Sequence, residues 1–563
     1  MGIKINGMEV DYPANQTILE AAKTVGIHIP TLCYLKGVNE ASVCGICKVE
    51  VVGENNLVAA CTTLISEGME VFTFSKKVMD ARRLTLELML SNHRKDCLTC
   101  ARNLECELQT LALQNRVKGI GFAEDEKKAQ IECTTLHTVR DNSKCVLCQR
   151  CTAVCKEMQG VGVIGVHEQG GKTYIGCENG RSLGDVACVA CGQCIAVCPT
   201  GALTEVDDRA RVYEALGDES KYVVAITAPA VRVGLGEGFG LPIGTNVQVK
   251  MVSALHKLGF DEVFDVSVGA DFTIMEESAE INKRLETGEN LPIITSCCCS
   301  WVSYCEQYFP EFLPNISGCK PPQIMLGALI KTYYATKKGI DHKDLVVVSV
   351  MPCTGKKEEI RRPCNQAIAG IYDVDIVITT RELKRMITSA GVMFHELEER
   401  EFDPALGIST RAGYIFGTSG GVMEAALRTL AEKKTFSELR GMQGVKEGEY
   451  DLNGRKIKVA VVSGLKNAGE LLRGIKAGKL RYDIIEVMAS PGGCIGGGGQ
   501  PIHDGSTINF TDINGLRSAA LYQGAAALRP INASHESPIV QAVYRDALGA
   551  QGSEVAHKWL HTK

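Results

Sequence analysis

The fold of this chain is decided by three short segments: Thr295-Ser-Cys-Cys-Cys-Ser-Trp301, Met351-Pro-Cys-Thr-Gly-Lys-Lys357 and Glu486-Val-Met-Ala-Ser-Pro-Gly-Gly-Cys-Ile-Gly-Gly-Gly-Gly-Gln-Pro501. Each segment places cysteine beside glycine, proline or a positive charge. Thiolates bind iron, and glycine lets the backbone come close to a bulky group. The three segments therefore predict a buried iron–sulfur site.

Apolar, β-branched runs surround these segments and alternate with helical stretches. The runs are YVVAITA, DLVVVSVMPC, DIVITT, KIKVAVVSG and YDIIEVMAS. Such alternation predicts α/β layers around a largely parallel sheet, with the cysteine segments at strand ends, where ligands collect. The sequence contains neither a strand–GxGxxG–helix unit nor GxxxxGK[ST]. We therefore do not expect this chain to take electrons directly from NAD(P)H.

Composition limits the class of protein. A length of 563 residues predicts several domains, and 45% hydrophobic residues are typical of a soluble globular protein. No run of about 18 apolar residues predicts a membrane span, and the first residues lack the apolar core of a secretory signal. A net charge of −5 gives no electrostatic footprint for nucleic acid. We expect a cytoplasmic protein with neither a membrane nor a nucleic-acid partner.

Cysteine is the unusual component. The chain has 25 cysteines, and 17 of them precede residue 200. Nothing in the sequence targets export, and clustered cysteines at short spacings in a reducing cytosol are more often metal ligands than disulfides.

Residues 1–78 carry the first cluster pattern. Cys33, Cys44, Cys47 and Cys61 follow the order of a plant-type [2Fe–2S] ferredoxin, with a longer first gap. This order resembles the ferredoxin-like domain at the front of hydrogenases and respiratory-complex subunits. The resemblance predicts a β-grasp domain that holds one [2Fe–2S] cluster.

Residues 79–126 carry a pattern with one histidine and three cysteines. Its ligands would be His93, Cys97, Cys100 and Cys106. Such a set suits zinc or a [4Fe–4S] cluster. The neighbouring cluster segments favour iron, and the order resembles a cluster with the same ligand types in hydrogenases and complex I subunits.

Residues 127–208 repeat one cysteine run twice, in the pattern of a bacterial 2[4Fe–4S] ferredoxin domain. In that pattern the fourth cysteine of each run serves the other cluster. One cubane would then take Cys145, Cys148, Cys151 and Cys198, and the other Cys188, Cys191, Cys194 and Cys155. We interpret Cys133 and Cys177 as ordinary thiols. Four accessory clusters in series would conduct single electrons.

The remaining part, residues 209–563, resembles the [FeFe]-hydrogenases. Beside the three opening segments, the similar stretches are APAVR at 228–232, TIMEE at 273–277, ITTREL at 378–383 and FGTSGGVMEAALR at 416–428. The likeness covers essentially the whole chain and matches the long, multi-cluster form of the family. It implies a large α/β catalytic domain in a multidomain α+β and α/β protein.

The resemblance implies an H-cluster, which is a [4Fe–4S] cubane joined through a cysteine to a diiron unit with CO, CN⁻ and azadithiolate. Its cubane ligands would be Cys298, Cys353, Ser490 and Cys494, with Cys494 as the bridge. Residues lining or allowing approach to the diiron unit would be Pro229, Ala230, Gln323, Met351, Met488, Gly492 and Gly493. Lys356 can donate charge-assisted hydrogen bonds to a cyanide.

The resemblance also implies a proton path and an activity. The path would run from Cys297 through Glu277, Ser317 and Glu280 to Arg284 and solvent. Glu277, Glu280 and Arg284 have helical spacings, so they can share one side of a helix. The implied enzyme is a ferredoxin hydrogenase for 2 H⁺ + 2 e⁻ = H₂, with ferredoxin or flavodoxin as electron partner and maturation proteins that build the diiron unit.

Two positions depart from the family pattern. Cys299 stands where most members have proline, and Ser490 stands where a cluster-ligating cysteine is expected. Ser490 could ligate as an alkoxide, Cys299 could replace it, or the cubane could be labile and activity low. We hypothesise that an H-cluster still forms, because three cysteines remain and the diiron pocket is complete.

Other classes of protein fit part of the sequence. An electron-transfer subunit of a respiratory complex would explain only the first 110 residues or so, and an assembly protein would have lost the pocket lysine and methionines. A hydrogen or redox sensor, or a low-activity hydrogenase-like electron-transfer protein, remains an alternative because of Ser490 and Cys299.

Overall fold

The computed structural model describes residues 2–562 apart from 12, 14, 123–128, 432–435, 442–443 and 453. The expected boundary at 126/127 lies outside the described residues. No helix in the described part of the chain is both long and apolar enough to span a membrane.

The first 72 residues form a five-stranded sheet with one helix across it. The elements are β1 (Gly2–Ile5), β2 (Met8–Asp11), α1 (Ile18–Thr24), β3 (Lys48–Val51), β4 (Val58–Ala59) and β5 (Glu70–Phe72). The strand order is β2-β1-β5-β3-β4, with a parallel pair at its centre. Thr17 and Glu20 form a capping box that starts α1, which buries Ile18 and Leu19 against the sheet. The predicted β-grasp is confirmed.

The middle of the chain has short elements joined by cysteine-rich loops. They are α2 (Lys76–Ser91), α3 (Glu107–Gln114), β6 (Ile131–Glu132), β7 (Thr138–Asp141), α4 (Arg150–Ala153), β8 (Gly165–Gln169), β9 (Lys172–Gly176), α5 (Gln193–Ala196) and β10 (Leu203–Glu205). Strand β7 pairs with β10 across the two cysteine runs, which closes them into one unit.

The second half of the chain contains two separate sheets. Its elements are α6 (Arg209–Leu216), β11 (Tyr222–Thr227), α7 (Pro229–Arg232), α8 (Gln248–Lys257), β12 (Glu262–Asp265), α9 (Val266–Thr287), β13 (Ile293–Ile294), α10 (Cys299–Tyr308), α11 (Pro322–Leu329), α12 (Ala335–Lys338), β14 (Leu345–Met351), α13 (Lys356–Glu359), β15 (Ile376–Thr379), α14 (Thr380–Ser389), α15 (Arg411–Tyr414), α16 (Gly421–Leu430), β16 (Val445–Leu452), β17 (Arg455–Ser463), α17 (Leu465–Lys476), β18 (Ile484–Met488), α18 (Gly505–Phe510), α19 (Ile513–Ala527), α20 (Pro538–Val543) and α21 (Glu554–Leu560). One sheet is β12-β11-β14-β15, all parallel, and the other is β13-β18-β17-β16, in which only β16 is antiparallel. The α/β prediction is confirmed, but the expectation of one sheet is wrong.

Helix α9 connects the two sheets of the second half of the chain. It follows β12 directly and crosses α11 closely, since a Cβ on Gly269 would lie 2.3 Å from the carbonyl oxygen of Pro322. Fourteen of its 22 residues are buried, from Val266 to Leu285. The helix therefore runs through the core, where polar side chains on it are shielded from water.

Candidate active site

Four strand ends meet between the two sheets. Strands β11 and β14 of the first sheet lead into Pro229 and Cys353, and β13 and β18 of the second lead into Cys298 and Ser490. Because the parallel strands in each sheet point the same way, their carboxyl ends deliver these loops to one place.

A mainly apolar cavity lies where the loops meet. Its lining includes Pro229, Gln323, Met351, Met488, Cys297, Cys353, Lys356 and Cys494. Thiols occupy this wall together with one buried ammonium and the amide of Gln323, and the remaining side chains are apolar. This donor set fits an iron–sulfur cofactor with anionic ligands, because the ammonium can offset negative charge that the apolar wall cannot.

Lys356 is held in place by a carboxylate that the sequence reasoning missed. Its Nζ donates to both Glu359 oxygens at 2.8 Å and to the carbonyl oxygen of Cys297 at 2.9 Å. Burial favours the neutral amine, but the negative Glu359 prevails and raises the pKa of Lys356 above its usual range. Gln323 donates to Glu359 at 2.7 Å and accepts from Ser349 at 2.8 Å. The spacing of Lys356 and Glu359 on one helical turn was the signal available in the sequence.

Of the three cysteines expected to hold the H-cluster cubane, Cys353 and Cys494 line the cavity and Cys298 interacts with Cys494. Cys298 is the N-cap of α10, and its sulfur accepts the N–H of Ala489 at 3.4 Å. Burial raises the pKa of Cys298 to about 12, although the backbone N–H groups of Ala489 and Trp301 lower it in part. The thiol of Cys299 hydrogen-bonds the thiol of Cys353, whereas Ser490 accepts a hydrogen bond from Gln193 at 3.0 Å.

The expected proton path is a continuous series of polar groups along α9. Ser317 lies close enough to Glu277 to lower the pKa of its carboxyl in part, and the Ser317 hydroxyl donates to Glu280 at 2.8 Å. Glu280 pairs with Arg284 at 2.5 Å, and Arg284 reaches the backbone carbonyls of residues 314–316. Burial, followed by repulsion from Glu280, raises the pKa of Glu277 to about 8. Its Oε1 has no partner among the described residues, which leaves it available towards Cys297.

Comparison with known proteins identifies the family. The chain is 45% identical to the NADP-reducing hydrogenase subunit HndD of Solidesulfovibrio fructosivorans, over 100% of this chain and 98% of that one. It is 38% identical to iron hydrogenase 1 of Clostridium pasteurianum, over 100% and 99% of the two chains. This chain is an [FeFe]-hydrogenase of the long, multi-cluster form.

Further matches divide this hydrogenase into parts. The iron only hydrogenase large subunit, C-terminal domain, matches residues 221–498, and the iron hydrogenase small subunit matches 511–563. A 2Fe-2S iron-sulfur cluster binding domain matches 1–76, an NADH-ubiquinone oxidoreductase-G iron-sulfur binding region matches 82–120, and an NADH-quinone oxidoreductase subunit 3 ferredoxin-like domain matches 136–204. A solved apo [FeFe]-hydrogenase from Chlamydomonas reinhardtii covers 62% of this chain and 97% of its own, with 39% identity and a TM-score of 0.55. The match at 82–120 favours iron over zinc at His93.

Three predicted cofactor residues of the hydrogenase also contribute to packing. Ala230 is fully buried, and its carbonyl accepts from Gln500 at 2.8 Å. Gly492 has φ +79° and donates its N–H to Ser463 at 3.0 Å. Gly493 has φ +88°, and a Cβ there would lie 2.7 Å from the nitrogen of Ser419. Gly493 thus leaves room for the neighbouring backbone. That either glycine allows a cofactor to approach stays a prediction.

The four thiols predicted to hold the [2Fe–2S] cluster are buried and arranged as two pairs. Cys47 and Cys61 are 3.3 Å apart, and the Cys33 and Cys44 thiols hydrogen-bond each other. In each pair the accepting thiol, Cys44 or Cys61, has its pKa lowered by the partner, to about 6 and about 7. The pairing suggests two thiolates for each iron.

The eight cysteines predicted to bind the two cubanes lie in two groups that cross between the runs. Cys198 interacts with Cys148 and Cys151, and Cys155 interacts with Cys188 and Cys191. A small cavity is lined by Cys145, Cys148, Cys151 and Cys198. The structure therefore brings together the two sets that the repeat predicts.

The one-histidine module contacts this ferredoxin-like part. A Cβ on Gly201 would lie 2.6 Å from the sulfur of Cys100, and the Arg94 N–H donates to the carbonyl of Ser143 at 2.9 Å. Cys106, at the N-cap of α3, and Cys97 lie in the same module, both partly exposed. Close packing of the modules suits electron transfer along the chain.

Proposed function

We propose that this hydrogenase catalyses 2 H⁺ + 2 e⁻ = H₂ at an H-cluster, with electrons conducted by one [2Fe–2S] and three accessory [4Fe–4S] clusters. The observation that carries the proposal is the mainly apolar cavity between the sheets. It has thiols and a buried ammonium in its wall, and Cys297 joins it to a polar path along α9. An H-cluster with an azadithiolate bridge would supply the metal and the base at which H₂ is split.

The residues around the cavity supply orientation and a proton path. Cys298, Cys353 and Cys494 would hold the cubane, with position 490 as the remaining ligand. Lys356, fixed by Glu359, would orient an anionic ligand of the diiron unit. Met351 and Met488 fill the wall and exclude water.

Proton transfer would use groups that can both accept and donate. Cys297 lies in the cavity wall and interacts with Glu277. With a pKa of about 8, Glu277 carries a proton at neutral pH and can pass it to or receive it from Ser317. Glu280 and Arg284 continue the path outward, since Arg284 is partly exposed.

The experiment follows the cofactor and the reaction separately. After expression with the maturation proteins, infrared bands of bound CO and CN⁻ would show the diiron unit, and H₂ evolution would show turnover. We expect both. CO bands without turnover would favour the sensor alternative, and absence of both would contradict the proposal.

We propose ferredoxin or flavodoxin as the electron partner. A second candidate is a partner subunit that binds NADP(H), because the 45% identical relative is named a subunit of an NADP-reducing hydrogenase. H₂ evolution by the purified chain should occur with reduced ferredoxin or flavodoxin and fail with NADPH. Turnover with NADPH alone would contradict both candidates, since this chain has no nucleotide-binding motif.

A further inference from the structure

The two cysteine runs of the ferredoxin-like part have the same backbone shape. Leu147 and Ala190 have φ +54° and +56°, and Gln149 and Gly192 have φ +63° and +67°. A short helix then begins at the next residue of each run, at Arg150 in α4 and at Gln193 in α5. Arg150 and Gln193 are therefore equivalent positions, each directly before the third cysteine.

Both equivalent side chains reach a neighbouring cluster module. Arg150 is fully buried and donates to both oxygens of Glu107, at 2.6 and 3.3 Å. Glu107 follows Cys106 in the one-histidine module. At the opposite end, Gln193 is 6% exposed and donates from Nε2 to Ser490 Oγ at 3.0 Å. The same position of the motif therefore contacts the one-histidine module in one run, through Arg150, and the proposed H-cluster site in the other, through Gln193.

The orientation of the Gln193 amide is determined by its second contact. The same Nε2 donates to the carbonyl oxygen of Gly496 at 2.9 Å. A carbonyl oxygen only accepts, so the amino group faces this loop, and its other hydrogen is directed at Ser490. Ser490 is itself buried, with 8% of its surface exposed.

We propose that Gln193 is a positioning residue that stabilises Ser490 as the oxygen ligand of the H-cluster cubane. This inference rests on the proposed function. A serine hydroxyl must lose its proton to bind iron strongly, and an N–H donor stabilises the resulting negative oxygen more than it stabilises a neutral hydroxyl. Cys299 is the weaker candidate because its thiol contacts Cys353, which already supplies a ligand.

The direction of the effect on the cubane follows from charge. Reduction adds an electron to the cluster, so a hydrogen bond to a ligand favours the reduced form. Removal of the Gln193 N–H should make reduction about tenfold less favourable, which corresponds to a potential lower by about 59 mV for one electron. With cysteine at position 490 the shift should be smaller, because sulfur is a weak acceptor.

The experiment is a double-substitution cycle in the full-length holoenzyme. The H-cluster cubane potential is measured by redox titration with EPR detection in the unsubstituted chain, Gln193→Leu, Ser490→Cys and the double variant. Gln307→Leu is the matched control, since the Gln307 amide in α10 donates to the backbone carbonyl of Cys188 at 3.3 Å rather than to position 490. We expect a lower potential in Gln193→Leu, a clearly smaller shift in the Ser490→Cys background and no shift in the control.

Three outcomes would overturn the inference. They are an equal shift in both backgrounds, no shift in either, or a Ser490→Ala variant whose cubane EPR spectrum is unchanged. The cubane potential is measured without turnover. Loss of H₂ evolution with CO bands present would therefore count against the proposed function, but it would not affect this inference.

Discussion

Replacing Glu277 by glutamine should stop proton transfer while leaving the cofactor pocket intact. Glutamine keeps the shape and one donor, but it cannot release and rebind a proton. Because the pKa of Glu277 is about 8, roughly 90% of the carboxyl is protonated at pH 7, so it can act as both donor and acceptor. We expect H₂ evolution to fall by about 10²–10⁴-fold, as for loss of a general acid–base group.

The same raised pKa makes a prediction about stability. The pKa is about 8 in the folded chain, against a usual value of 4.5, so the unfolded chain loses this proton first as the pH rises. The contribution of Glu277 to stability is therefore largest below pH 4.5 and is lost as the pH rises through 8, by about 5 kcal/mol at most at 1.36 kcal/mol per pKa unit. Glu277→Gln removes this loss and should unfold at a higher temperature than the unsubstituted chain at pH 8, and not at pH 4.5.

Three measurements test the reasoning. Infrared spectroscopy should show a carboxyl band that titrates near pH 8 and is missing in Glu277→Gln, and the CO and CN⁻ bands should be the same in both proteins. H₂ evolution with a reduced dye reports turnover. A variant that keeps more than about half of the activity, or a band that titrates near the usual carboxyl pKa, would refute the proposed role.

The remaining predictions concern the pocket, the cubanes and the contact between them. Glu359→Gln leaves Lys356 buried without its counter-ion and should lower stability by about 3–5 kcal/mol in thermal unfolding, and Lys356→Met in the same chain should restore part of it. The Cys198→Ala and Cys155→Ala variants should each contain about four fewer irons by metal analysis, and each should lack a different cubane EPR signal. Loss of the same signal in both variants would contradict the crossed ligand sets. Gly498→Ala would place a Cβ 2.5 Å from the carbonyl carbon of Gly192. The variant should be less stable by about 1–3 kcal/mol and should transfer electrons more slowly in stopped-flow reduction. Gly119→Ala, with open space around it, is the control and should have neither effect.

Much of the accessory-cluster architecture could be predicted because its ligands are local. The repeated spacing from Cys145 to Cys155 and from Cys188 to Cys198 defines a cluster-binding run by itself. Glu277, Glu280 and Arg284 were likewise placed on one helix by spacing, and α9 carries all three. The apolar runs predicted α/β layers, but strand pairing between distant segments divided them into two sheets.

The contacts that distinguish the site join residues far apart in the chain. Gln193 and Ser490 are 297 positions apart, and the Ser317 and Glu280 pair is separated by 37. No periodicity links such residues, because their approach depends on how whole sheets and loops pack. The short spacing of Lys356 and Glu359 was visible, but their burial beside the cavity was not.

The sequence by itself determined the family, the cluster types and the unusual serine, because spacing and residue type are local properties of the chain. Only the tertiary structure decided what surrounds that serine. Burial removes water from Ser490, and the fold brings the Gln193 amide to its oxygen in place of the solvent. The chemistry of a ligand depends on such partners, and packing alone selects them.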